Sequence, residues 1–391
     1  MLSFLTVFTL ILLAGHYYVG RRLLTPLKLK PSYKKLAWTA ILTVPLILPF
    51  TFLFRIWGIN GTLIDLIGWI AFVGMGFFSL IIGWVVLRDL ILLAGFLIRK
   101  YRKPKSYDAQ RRAFLMNSMN YSIIGVSALL TGYGIYEARR NPTMERINIH
   151  LPHLPPEFEG LRIAQFTDLH VGPTIKRAFV QSAVDQINQL GADIIVFTGD
   201  LVDGSVSSLK NEVAPLGELA ASEGVYFITG NHEYYSGVNA WLEQVERLGL
   251  RVLLDANNVI TRGNRKLVMA GVTDFTAHRF EPDHVSDPVK ALHGAETADI
   301  KILLAHQPVN IFGASQAGYD LQISGHTHGG QYLPWRFMVT LNQPYVIGLN
   351  KHKDTWIYVN RGTGYWGPPL RLGVPSEISL LTLTAKNENS A

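Results

Sequence analysis

Cysteine is absent from all 391 residues. Disulfides, thiolate metal sites and cysteine nucleophiles are therefore excluded, while the compartment stays open. Acidic residues are scarce in the first third, where residues 1–136 hold 3 Asp/Glu against 15 Lys/Arg, a charge of +12. Residues 137–391 hold 26 against 21, a charge of −5. The overall charge of +7 thus belongs to the first third. The remainder carries no electrostatic footprint for a polyanion, and nucleic acid is not expected as a partner. There is no Walker-type glycine loop, which argues against nucleotide-driven chemistry, and no internal repeat or low-complexity tract.

What is present is apolar and unevenly spread. The hydrophobic share of 48% concentrates in runs at 2–19, 36–54, 63–87 and 114–136. Each is close to the roughly 20 residues that cross a bilayer core, the fourth being the weakest because asparagines and serines interrupt it. Two loops are strongly basic: "RRLLTPLKLKPSYKK" (21–35) with six cations, and "RKYRKPKSYDAQRR" (99–112) with seven against Asp108. By the positive-inside rule these loops face the cytoplasm. Four crossings then place the N-terminus and the following domain on the extracytoplasmic face of the cell membrane. "RRAFL" at 111–115 also resembles a twin-arginine export signal, which leads to the same side. Arg88 and Asp89 sit at the end of the third run, as a buried functional pair or as an interfacial pair that snorkels. The expected organisation is a transmembrane region at 1–136, a linker and first strand at 137–160, a catalytic domain at 161–385 and a tail at 386–391.

In residues 161–385 near-continuous Val/Ile/Leu strands alternate with helical patterns, which predicts an α/β layered fold with buried sheets. Five apolar strands end in side chains able to bind metal. Asp168 and His170 follow "LRIAQFT", Asp200 follows "DIIVFTG", and Asn231 and His232 follow "VYFITG". His306 follows "IKILLA", and His326 and His328 follow "LQISG". Ligands bind at the carboxyl ends of strands in α/β sheets, so these distant positions can converge. Two aspartates, an asparagine and four or five histidines exceed the four or so ligands of a structural zinc site. They suit two divalent ions about 3.5–4 Å apart, and mixed N/O donors without sulfur suit Mn, Fe or Zn.

"DLH" (168–170), "GDLVD" (199–203), "GNHE" (230–233), "AH" (305–306) and "GHTH" (325–328) stand in the order found in calcineurin-like metallophosphoesterases. The chain resembles the membrane-anchored, extracytoplasmic bacterial members of that family over about residues 161–383. The resemblance implies a four-layer α/β/β/α sandwich and a dinuclear site. Asp168, His170, Asp200 and His328 would hold one ion, and Asp200, Asn231, His306 and His326 the other, with Asp200 bridging. Glycines beside His326 and His328 would let the backbone turn sharply. A hydroxide between the ions would attack phosphorus, and His232 would protonate the leaving oxygen. The implied substrate is a phosphodiester, phosphomonoester or pyrophosphate, which the membrane anchor suggests is lipid-linked. Asp203 is expected to support a ligand by a hydrogen bond. Asp274 is either a strand-end turn or a substrate contact, and Arg371, with Arg361, is a candidate phosphate contact. The competing reading is a catalytically silent binding or regulatory module on the same fold.

Overall fold

The computed structural model describes residues 2–27, 29–56, 61–99 and 108–385. Most of the second basic loop (100–107) and the expected tail (386–391) lie outside them. The chain forms two compact units, one made of residues 1–136 with 367–370 and the other of residues 137–366 and 371 onward.

The first unit contains α1 (Leu2–Leu24), α2 (Pro31–Ile56) and α3 (Thr62–Arg99), together with most of α4 (Ala109–Arg139). Each apolar run of the sequence lies within one of them. Among the described residues, however, only Thr62–Ile98 and Ala109–Arg139 are long and apolar enough to cross a membrane. This corrects the expectation of four crossings, since the first two runs fall short while the fourth, read as the weakest, does not, and the cause is local. The second half of α1 carries His16, Tyr17, Tyr18, Arg21 and Arg22, while α2 opens on Lys34 and Lys35 and contains Pro45 and Pro49. Arg88 does not snorkel. It is 3% exposed, bonded to Asp89 at 3.0 and 3.1 Å and to Asn120. Tyr18 and Arg22 reach the same carboxylate, each at 2.5 Å, so one acid is shared by two guanidiniums and a phenol across α1 and α3. His16 stacks on Phe78 with ring centroids 3.5 Å apart.

The second unit holds twelve strands: β1 (Thr143–His150), β2 (Arg162–Phe166), β3 (Ile194–Phe197), β4 (Val225–Phe227), β5 (Arg251–Val252), β6 (Ala256–Arg262), β7 (Arg265–Gly271), β8 (Ile300–Leu304), β9 (Leu321–Ser324), β10 (Gly348–His352), β11 (Thr355–Val359) and β12 (Glu377–Thr384). They form two six-stranded sheets, ordered β1-β12-β2-β3-β4-β5 and β10-β11-β9-β8-β7-β6. β2 to β5 run parallel in the first, and β7, β8, β9 and β11 run parallel in the second.

Strand side chains alternate between faces, and here both faces are buried. Ile163, Ile194, Val196 and Leu381 of the first sheet join Leu267, Met269, Ile302, Leu304 and Ile323 of the second in a core between the sheets. The alternate residues Ala164, Phe166, Ile195, Phe197 and Leu380 pack outward with Val180, Ala183, Val184 and Ile187 of the helix Arg177–Gln189. Val268, Ala270 and Leu303 do the same on the far side, against Ala291, Leu292 and Ala314. Helix, sheet, sheet and helix are thus stacked in four layers, which is why these strands read as continuous apolar runs.

Candidate metal centre

Every candidate donor stands just beyond the end of a parallel strand. Asp168 and His170 follow β2, Asp200 follows β3, and Asn231 opens the short helix Asn231–Ser236 after β4. His306 follows β8, and His326 and His328 follow β9. Nine non-glycine residues among those described have positive φ, and five are candidate ligands: Asp168, His170, Asp200, His326 and His328, at 49° to 70°. Left-handed backbone at such residues costs on the order of 1–3 kcal/mol each and clusters where function over-determines it. The turn at 325–330 is therefore not made by glycine alone, because its histidines adopt the left-handed region themselves. Gly325 is needed for room instead, since a Cβ there would stand 2.3 Å from Asp168 Oδ2. A Cβ on Gly230 would stand 2.2 Å from Asp200 Oδ1.

The donors converge in two overlapping clusters. In the first, His328 Nε2 lies 3.1 Å from His170 Nε2 and 3.3 Å from Asp168 Oδ1. In the second, His306 Nε2 lies 3.2 Å from both Asp200 Oδ2 and His326 Nδ1. Asp200 Oδ2 is also 3.7 Å from His170 Nε2, so this carboxylate faces both clusters. His170, Asp200 and His232 form a third set of converging ligand atoms.

The donor chemistry fits cations. His306 Nδ1 donates to the Thr198 carbonyl at 2.7 Å, and His170 Nδ1 donates to Asp203 Oδ1 at 3.2 Å. Each leaves its Nε2 lone pair aimed into the cluster, the arrangement by which metal-binding histidines are oriented. Asn231 Oδ1 is buried and makes no hydrogen bond, although a buried carbonyl without a partner costs roughly 1–3 kcal/mol. A cation between these groups relieves both features.

The other expected residues support the clusters. Asp203 Oδ1 also accepts from His232 Nδ1 at 2.5 Å, so one carboxylate orients two imidazoles. His232 Nε2 lies 4.0 Å from Asp200 Oδ2. Burial opposes charge on His232, but Asp200 and Asp203 push it up to about 9. Against the same burial, the histidines, His306 first, hold Asp200 well below the usual carboxylate range. Asp274 is a strand-end turn: its Oδ1 accepts from Thr276 N at 2.8 Å, and its Oδ2 from Gln307 at 2.9 Å. Arg371 is fully buried. Its guanidinium is directed to the carbonyls of Arg361, Gly362, Gly364 and Val374, with Nη2 3.3 Å from His328 Nδ1. Its hydrogen bonds to these carbonyls hold that loop beside His328. Arg361 is paired with Glu377 and Glu145.

A family model described as calcineurin-like phosphoesterase matches residues 161–330. A transmembrane protein with metallophosphoesterase domain from Danio rerio is 31% identical over 398 residues, covering 97% of this chain and 89% of that one. An uncharacterized metallophosphoesterase from Helicobacter pylori is 37% identical over 292 residues, covering 72% and 77%. The chain belongs to the calcineurin-like phosphoesterases.

Two residues of this phosphoesterase do work that only the fold reveals: Glu233, quoted within "GNHE" above, and Gln331, three residues beyond "GHTH". Glu233 is fully buried and accepts from three backbone amides, those of Gly230 (2.7 Å), Asp200 (2.9 Å) and Leu201 (2.7 Å). It ties the loop after β3 to the loop after β4. Burial and the nearby Asp200 push it up to about 7. Gln331 clamps Trp366, donating to its carbonyl at 3.1 Å and accepting from its amide at 3.0 Å. The Trp366 ring lies 5.9 Å from that of His232. The buried acid one residue past His232 was the available signal for Glu233. Glu233→Ala would strand three amides and is expected to cost on the order of 3 kcal/mol. Thermal unfolding of the variant should fall by roughly 6–12 °C. An unchanged midpoint would show that Glu233 does not brace these loops.

Proposed function

We propose that the chain is a membrane-attached phosphoesterase working with two divalent ions. Asp168, His170, Asp200 and His328 hold one ion, and Asp200, Asn231, His306 and His326 the other. The observation that carries this reading is the pair of donor clusters meeting at the Asp200 carboxylate, 3.2 Å from His306 Nε2 and 3.7 Å from His170 Nε2. When bound, such ions supply positive charge to the phosphoryl oxygens and acidify the attacking water, and Mn, Fe or Zn suits these donors.

The chain's own residues do the rest. Asp203 accepts the Nδ1 proton of His232 at 2.5 Å and so fixes that ring with Nε2 toward the cluster. From there Nε2 holds the proton that the leaving oxygen takes as the P–O bond breaks. Glu233 keeps the Asp200 and Asn231 loops in register. The two helices long and apolar enough to span a bilayer support membrane attachment, and with the basic loop between them inside, the catalytic unit lies outside. A substrate held in the membrane, a lipid-linked phosphoester, suits such a protein.

The test uses the purified full chain with a nitrophenyl phosphodiester. Hydrolysis should be abolished by a chelator and restored by Mn²⁺. Turnover indifferent to chelation would sink the two-ion reading, and no turnover with any divalent ion would favour a silent binding module. Orientation is checked separately. A reporter that works only outside the cytoplasm, fused after residue 391, should be active, and activity from a cytoplasm-only reporter there would reverse the topology.

A further inference from the structure

Asn231 and His326 open onto a cavity of about 340 Å³, whose walls also include Tyr235, Phe275, Gln307 and Gln343. No lysine or arginine lines it. Two walls come from the segment that contains the helix Trp335–Asn342, through Asn342 and the next residue, Gln343. Gln343 is fixed, accepting from Val309 N and donating to Gln307 Oε1, both at 3.1 Å. The helix itself is bare. None of its residues is buried, and Trp335, Phe337, Met338 and Leu341 are 42, 67, 52 and 76% exposed. Leu333, just before it, is exposed as well.

Large apolar side chains crowded onto two turns and left uncovered mark a surface that another phase or partner covers. Three observations choose the bilayer. Between residues 333 and 343 the only charge is Arg336, with no acid, and a tryptophan, a cation and aliphatic side chains are the composition of the headgroup boundary. The same chain carries two helices able to cross a membrane. The second ends at Arg139 and β1 begins at Thr143, so only three residues tether the unit to it. We propose that the helix Trp335–Asn342 seats in the headgroup–acyl boundary and admits a lipid phosphoester to the adjoining cavity. This rests on the phosphoesterase reading for its chemistry but not for its membrane contact. The uncharged, amide- and aromatic-lined cavity then receives the polar, uncharged part of the lipid head, and the ester phosphorus lies against the metal centre.

The chain lacks cysteine, so a single introduced one takes a spin label uniquely. In the full chain reconstituted into phosphatidylcholine/phosphatidylglycerol liposomes, a label at Leu341→Cys should lie about 5–10 Å into the boundary, accessible to oxygen and shielded from a nickel chelate. A label at the exposed Glu246→Cys should report water. A Leu341 label in water would overturn the proposal. So would one shielded from both reagents and spin-coupled to another copy, since a second chain would then cover the helix. The double variant Phe337→Glu/Leu341→Glu should stay within about twofold of wild type on a soluble nitrophenyl phosphodiester. On phosphatidylglycerol vesicles it should fall at least about tenfold, because acid side chains are expelled from the boundary. Equal rates on vesicles would overturn the proposal. If the wild type hydrolyses neither substrate, the phosphoesterase reading fails while the label position still decides the membrane contact.

Discussion

Asp200→Asn should leave the protein folded and empty it of both ions. The Asp200 carboxylate is buried, with His306, His170 and His232 at 3.2, 3.7 and 4.0 Å from Oδ2. An amide fits the same space but removes the one negative charge that faces both clusters, and can turn a donor toward cations. Each ion contributes several kcal/mol to stabilising charge on phosphorus. At about 1.4 kcal/mol per tenfold, activity should fall on the order of 10³-fold or more. Metal analysis of the purified variant should show both equivalents reduced. Asn231→Ala touches only the second cluster and should release one ion in preference to the other. Full double occupancy in Asp200→Asn would show that this carboxylate does not bridge.

The layers and the donor positions were legible because they obey short rules. Ile194, Val196 and their alternates Ile195 and Phe197 are all apolar because two different cores claim them, and this is what made the strand read as buried on both faces. Polar residues directly after such runs had to emerge at one edge of the sheets. The geometry that completes the centre was not legible, since it depends on approach. No periodicity shows that Gly325 must lack a Cβ beside Asp168, or that Glu233 gathers three amides from two loops. Arg371 looked available for phosphate in the sequence because its carbonyl partners are main-chain atoms, which carry no residue identity. In the first unit, the third apolar run stopped at Arg88 by composition, yet α3 continues to Arg99. The Arg88–Asp89 pair is satisfied by Tyr18, Arg22 and Asn120, so its charges do not end the helix.

Ligation and proton transfer remain to be separated at His232, whose Nε2 belongs to a converging set with His170 and Asp200. Its Nδ1 bond to Asp203 at 2.5 Å and its position 4.0 Å from Asp200 Oδ2 place it at the margin of the clusters, where a leaving oxygen can reach it. As the general acid it is dispensable for metal binding, so His232→Ala should keep both ions and lose activity by on the order of 10²–10⁴-fold. The loss should depend on the leaving group. An alkoxide needs a proton as it departs, whereas nitrophenolate is stable without one. The variant should therefore be crippled on an alkyl phosphoester and much less impaired on a nitrophenyl one, while Asn231→Ala affects both alike through lost metal. Asp203→Asn, which loosens His170 as well as His232, should show the same leaving-group dependence in milder form together with weaker metal retention. Equal losses on the two esters with metal retained would remove His232 from the acid role, and lost metal would make it a ligand.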